Sequence, residues 1–148
     1  MRKGVTDKME TIQDILSGTD VLWLALCDED GPYSVPVNFA EEDGIIYIHS
    51  GKRGRKYEAL MTGAPVAFSA AVDMEPKHGD SACTFGYRFR SIMGKGTPHA
   101  LEGEEKAAGL NIITVKFAGR EMPFIEKAIE AAAAFAIDVE SIHARIKE

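Results

Sequence analysis

Thirty residues, Val21 to Ser50, constrain the fold more than any other stretch of the chain. Val21 to Cys27 (VLWLALC) is apolar at every position, and an acidic turn, DEDG, follows at Asp28 to Gly31. Tyr33 to Ala40 (YSVPVNFA) alternates, with Val35, Val37 and Phe39 on one side and Ser34, Pro36 and Asn38 on the other. A second acidic turn, EEDG at Glu41 to Gly44, leads into Ile45 to Ser50. Strand, turn, strand, turn, strand predicts an antiparallel meander. The unbroken apolar run of VLWLALC predicts a strand covered on both faces. Pro36 has no N–H to give to a ladder, so its strand is expected at an edge or a bulge.

The rest of the chain surrounds this meander with short helices and further strands. Asp7 to Ser17 places Met9, Ile12, Ile15 and Leu16 at helical spacing and ends at Gly18. Arg53 to Met61 predicts a short helix stopped by Gly63 and Pro65. Val66 to Val72 follows as a strand, Met74 to Ala82 as a polar loop, and Thr84 to Ala100 as a long strand or hairpin. Helices are expected from Gly103 (GEEKAAGLNIITVKFAG) and from Pro123 to about Ala132, and a last strand from Phe135 to Ile146. About six strands with short helices between them describe a single domain, residues 1–148. The expected architecture is a small closed or half-closed β-barrel, mainly β with helical decoration, rather than a doubly wound parallel sheet.

Composition excludes several function classes. Hydrophobic residues make up 45% and charged residues 27%, as in an ordinary soluble globular protein. The N-terminal MRKGVTDKMETIQDI has no apolar stretch after its basic residues, and no apolar run approaches the roughly 18 residues a membrane span needs. A cytoplasmic location without membrane contact is therefore expected. Cys27 and Cys83 lack a CxxC spacing, and His78, His99 and His143 lack metal-ligand spacing, so reduced thiols and no metal are expected. The net charge of −6 speaks against a general nucleic-acid binder. No Gly-x-Ser-x-Gly elbow, P-loop or GxGxxG motif is present.

Against that acidic background, Lys52, Arg53, Arg55 and Lys56 put four cations into five residues where a strand hands over to a helix. With Ser50 as the expected N-cap, Arg55 and Lys56 sit beside the helix N-terminus, where a cation costs about 0.3–1 kcal/mol. A bound anion reverses that sign, so the loop reads as a phosphate holder; the alternative is a solvated basic turn. His49 lies at the mouth of this loop, either as a hydrogen-bonded packing residue or as a proton-transfer group beside the anion. Asn38 and the edge backbone near Pro36 offer donors to a heterocycle, or simply form an edge strand. In YRFRSIMGKG, Tyr87 to Gly96, two glycines fit the close approach of another backbone or of a flat ligand.

The ordered set DGPYSVPVNF, YIHS with GRK, and RSIMGKG resembles the pyridoxamine 5′-phosphate oxidase-like flavoproteins with a split β-barrel of Greek-key type. Within them it is most similar to the Nim-type, 5-nitroimidazole-resistance branch. The match is close over Val21 to Leu101 and holds in outline beyond. The resemblance implies an FMN-binding homodimer with flavin at the subunit interface. By the same resemblance Arg55 and Lys56 hold the FMN phosphate with Ser50 nearby, Val37 and Asn38 lie along the flavin, Arg90 and Ser91 match the family's Arg-Ser piece, and His49 matches the histidine beside the flavin. The chain ends ARIKE, without the Arg-Leu-x-Pro piece of the true pyridoxamine phosphate oxidases, which disfavours vitamin B6 oxidation. Lys95 replaces a frequent aromatic. The implied activity is that of an FMN-dependent oxidoreductase, driven by a nicotinamide or other donor and reducing a small electrophile such as a nitroaromatic. The alternatives are a non-enzymatic flavin or heme carrier or sensor and, more weakly supported, a barrel that binds nucleic acid.

Overall fold

A computed structural model describes residues 2–148 of the chain. In chain order the elements are β1 (Val5–Thr6), α1 (Met9–Ser17), β2 (Val21–Asp28), β3 (Gly31–Asn38), β4 (Ala40–Glu42), β5 (Ile45–Gly51), α2 (Arg55–Met61), β6 (Val66–Lys77), β7 (Gly86–Ala100), α3 (Gly103–Ala118), α4 (Glu126–Ala131) and β8 (Ala132–Lys147). The strands form one antiparallel sheet in the order β3-β2-β6-β7-β8-β5-β4, with β1 added on β8. This is the expected split β-barrel, mainly β with helices. Eight strands rather than about six are present among the described residues, because β1 and β4 span only two and three residues and carry no readable period.

The core follows from the alternation in each strand. Leu22, Leu24, Ile46, Ile48, Phe68, Ile92, Phe135 and Ile137 point inward and are almost wholly buried, joined by Phe39. Ile12 and Ile15 of α1 and Leu60 of α2 close the same core. On the other side of the sheet, α3 packs Leu110 with Leu101, Ala134 and Ala136, against Tyr47. Here β8 carries small side chains outward and Phe135 and Ile137 inward, so both of its faces are buried.

Five expectations need correction. Val21 to Ser50 is not one meander: β2 and β3 pair as a hairpin, but β5 pairs with β4 and β8 at the opposite end of the sheet order from β3, because β8 takes up its edge. VLWLALC is not covered on both faces within the chain: Leu22, Leu24 and Leu26 are buried, whereas Val21 and Trp23 are exposed, Trp23 by 52%. Its apolarity belongs to an outer row that runs Pro36, Trp23, Ser69, Met93, His143 across five strands. The polar loop from Met74 is half strand, since Glu75 to Lys77 pair with Gly86 to Arg88 after a bulge at Asp73, whose φ is +52°. The second C-terminal helix begins at Glu126 rather than Pro123. Finally, Ser50 does not cap α2: it lies in β5 and its hydroxyl donates to the Gly51 carbonyl at 2.7 Å. Gly54, at φ +106°, is the residue before the helix, and this conformation strains any side chain there.

β3 pairs only with β2, so Pro36 does sit on an edge strand, opposite Trp23. The glycines of β7 serve close packing within the chain. A Cβ at Gly94 would stand 2.6 Å from both the Phe68 ring and the Ser141 carbonyl oxygen, and one at Gly96 would meet the Asp138 carbonyl. Gly94→Ala is therefore expected to destabilise the fold by about 1–3 kcal/mol, the usual range for overpacking. Thermal unfolding checks this; an unchanged midpoint would contradict the packing at Phe68.

Candidate functional site

The curl of the sheet brings strands distant in its order to one place. Asn38 at the end of β3 and His49 of β5 line a cleft of about 410 Å3, whose other wall is α3 with Ile113, Thr114, Phe117 and Ala118. Those four α3 positions fall on one helical face. The Thr114 hydroxyl donates to the Leu110 carbonyl at 2.9 Å, and the Asn38 amide nitrogen donates to the Asp20 carbonyl at 3.0 Å. Among the described residues, the His49 imidazole and the Asn38 amide oxygen have no hydrogen-bond partner, so they are the polar groups this cleft can offer a ligand.

The wall is fixed from behind by Lys116. Its Nζ donates to the carbonyls of Thr19 at 2.7 Å, Phe39 at 3.1 Å and Leu16 at 3.5 Å, and lies 3.6 Å from the Phe39 ring centroid. An ammonium that meets three carbonyls and an aromatic face ties α3 to the end of α1 and to the β3–β4 junction. Burial pushes its pKa below the ordinary lysine value, partly offset by the Asp20 carboxylate.

The basic loop sits next to this cleft along the chain. Lys52, Arg53 and Lys56 make no ion pair among the described residues. Arg55 is differently placed: its Nε and Nη2 donate to the two carboxylate oxygens of Asp28 at 2.6 and 2.9 Å, Nη2 also reaches the Gly31 carbonyl at 3.3 Å, and the guanidinium lies 4.5 Å from the Tyr33 ring centroid. This hydrogen bond lowers the Asp28 pKa and raises that of Arg55. The His49 side chain is exposed at the cleft, and it titrates below the ordinary imidazole value, chiefly through desolvation by the protein atoms around it and secondarily through the charge of Lys56. It is therefore neutral at pH 7.

The remaining sequence-derived residues are placed as follows. Val37 is buried in the core, so only its backbone can serve a ligand. Ser50 follows His49 in β5 with its hydroxyl turned to its own strand end. The Arg90 guanidinium is engaged by Asp14 at 2.6 Å and Asp73 at 2.7 Å, joining α1 to the β6 bulge. Ser91 pairs with Arg145 and His49 with Ala134, eleven residues apart on β8 and about 36 Å along a strand. Within one chain the structure brings His49 and Asn38 together and leaves Arg90 and Ser91 elsewhere. Sequence reasoning missed Asp28, Tyr33, Lys116 and the α3 wall; a pattern of Ile113, Thr114, Phe117 and Ala118 at helical spacing was the available signal for the last.

Two outcomes are expected from this geometry. In an NMR titration of the ligand-free protein, the His49 midpoint lies below about 6.5, and Lys56→Met raises it. Because the folded state disfavours the charged imidazole, His49 contributes stability that is present above the ordinary histidine pKa and is lost as pH falls below it. A midpoint that does not move in Lys56→Met would contradict the placement of Lys56. Lys116→Met is expected to cost about 1.5–3 kcal/mol in denaturant unfolding, the scale of hydrogen bonds to a charged group.

Comparison with known proteins agrees with the architecture. The chain resembles a candidate 5-nitroimidazole antibiotic resistance protein from Bacteroides thetaiotaomicron, at 25% identity and TM-score 0.85, over 96% of this chain and 86% of that one. It also resembles a flavocytochrome from Azotobacter vinelandii (23% identity, TM-score 0.85, 98% and 70% coverage) and an FAD and heme binding protein from Mycobacterium smegmatis (21%, 0.90, 99% and 74%). No curated protein matches the chain. No helix of the described residues is long and apolar enough to cross a membrane. A family model described as pyridoxamine 5′-phosphate oxidase matches residues 8–146, nearly the whole chain, and the protein belongs to that family.

Proposed function

We propose that this chain is an FMN-dependent oxidoreductase that acts as a homodimer, takes electrons from a nicotinamide or comparable donor, and passes them to a small electrophile such as a nitroaromatic. The observation that carries the reading is the His49–Asn38 cleft, followed along β5 by a loop whose Lys52, Arg53 and Lys56 make no ion pair among the described residues, in a chain of this family. The donor set fits a flavin nucleotide: Lys56, Lys52 and Arg53 make no ion pair among the described residues and can supply positive charge for a phosphate, and the cleft joins the polar His49 and Asn38 to an apolar wall of Ile113, Phe117 and Ala118. Two-electron redox chemistry is what the flavin supplies when bound.

The chain's own residues bind, orient and handle a proton. Lys56 and the free edge of Arg55 hold the phosphate. Asn38 and the unpaired edge of β3 face the heterocycle with hydrogen-bonding groups. His49, neutral at pH 7, can donate a hydrogen bond from its imidazole N–H to an acceptor in the cleft, and Phe117 and Ile113 exclude water on the α3 side. The likeness to a candidate nitroimidazole resistance protein, at 25% identity, supports a nitroaromatic acceptor. The homodimer reading is supported by the outer sheet row, where Trp23 is 52% and Met93 59% exposed. A second copy would also provide the route by which Arg90 and Ser91 contribute to a flavin site.

The first test is the absorption spectrum of the purified protein together with identification of its released cofactor by mass. FMN that is bound by the native protein and lost in Arg55→Ala plus Lys56→Ala is the expected result; a protein that neither carries nor takes up FMN refutes the reading. His49→Ala should keep the flavin and lower donor-dependent turnover by about tenfold or more, the scale of one hydrogen bond to a developing charge. Tight flavin binding with no turnover towards any donor and acceptor pair would instead mark a carrier. Trp23→Glu is expected to run as a monomer in size-exclusion chromatography and to bind flavin more weakly.

A further inference from the structure

Asp28 ends β2 at the β2–β3 turn, far in sequence from the basic loop, yet its carboxylate is the main partner of Arg55. The carboxylate is itself fixed by its turn, since Oδ1 accepts the Asp30 backbone N–H at 2.9 Å. Arg55 docks on it through Nε at 2.6 Å and Nη2 at 2.9 Å, and Nη2 takes the Gly31 carbonyl as well. The Tyr33 ring covers the guanidinium at 4.5 Å. Of the three guanidinium nitrogens, only Nη1 is without a partner among the described residues. A long, flexible cation is thus held on one edge by a turn and on one face by a ring, with a single edge left for a ligand.

We infer that Asp28 is a positioning residue for the anion site: it holds Arg55 so that the Nη1 edge is presented to the flavin phosphate. The inference rests on the flavin reading above and adds to it a residue that touches no ligand. Its physical basis is preorganisation. An arginine already immobilised loses little side-chain entropy when it binds a phosphate, whereas a free one loses rotamer freedom in the same step.

Charge alone predicts the opposite sign, which makes the test decisive. Removing a carboxylate beside an anion site strengthens anion binding by Coulomb's law. Removing a positioning carboxylate weakens it. The measurement is the dissociation constant of FMN and of riboflavin, which lacks the phosphate, for the native protein and Asp28→Asn, with circular dichroism as a check on folding. The expected result is a loss of FMN affinity of about tenfold, the scale of one charge-assisted hydrogen bond, with riboflavin affinity unchanged. In an Arg55→Ala background, Asp28→Asn should then have no further effect on FMN.

Tighter or unchanged FMN binding in Asp28→Asn overturns the inference and leaves the flavin reading standing. A native protein that binds FMN no better than riboflavin overturns both. An equal loss of FMN and riboflavin assigns Asp28 to general folding and also overturns it. Should Asp28→Asn fail to fold, Arg55→Lys keeps the charge but removes the fork that docks on Asp28. Loss of the preference for FMN over riboflavin is expected there, and full retention of that preference contradicts the positioning role.

Discussion

The β7–β8 ladder is the interaction on which the rest of the structure depends. It runs from Phe89 opposite Lys147 to Ala100 opposite Phe135 and shifts register between Lys95 and Gly96, where Glu140 is left out of the pairing. The skipped Glu140 accepts a hydrogen bond from the Thr97 hydroxyl at 2.6 Å. Such a bulge bends a strand pair and increases its twist. One half of β8 then carries β5, while β7 carries β6, β2 and β3 from its other edge. Because the sheet curls at this point, the end of β3 and the middle of β5 line one cleft. Gly94 and Gly96 are the residues that let the Phe68 ring, Ser141 and Asp138 close on the bend.

On this frame the site is assembled from three sources of order. The strands bring Asn38 and His49 together, α3 closes the cleft, and the Lys116 ammonium fixes α3 through backbone carbonyls of the α1–β2 turn and of Phe39. The acidic turn after β2 also takes part, since Asp28 engages Arg55 at the start of α2. Desolvation is the main force that disfavours the charged His49 imidazole, and the charge of Lys56 adds to it.

Much of this was legible in the sequence because the relevant signals are local. The alternation in YSVPVNFA and the acidic turn after Cys27 mark the β2–β3 hairpin, and Pro36 marks the edge strand; that β5 leaves this hairpin for the other end of the sheet depends on its pairing with β8, which lies far along the chain. What was not legible depends on partners distant in the chain. VLWLALC has the same apolar letters whether its outer face meets its own chain or another surface, so Trp23 was read as covered. Ser50 looked like a cap because the helix start could not be separated from the glycine at Gly54 that sets it. Arg55 and Lys56 looked equivalent, and only the fold shows that one is docked on Asp28 while the other has no ion pair among the described residues. The same holds for Arg90, whose carboxylate partners lie on α1 and beside the β6 bulge.

The most direct measurement is a crystal structure of the flavin-loaded protein. The phosphate is expected within hydrogen-bond distance of Lys56 and the Nη1 edge of Arg55, with the Arg55–Asp28 fork intact and the ring system against Asn38 and His49. A flavin bound elsewhere, or a phosphate held without either cation, would contradict it.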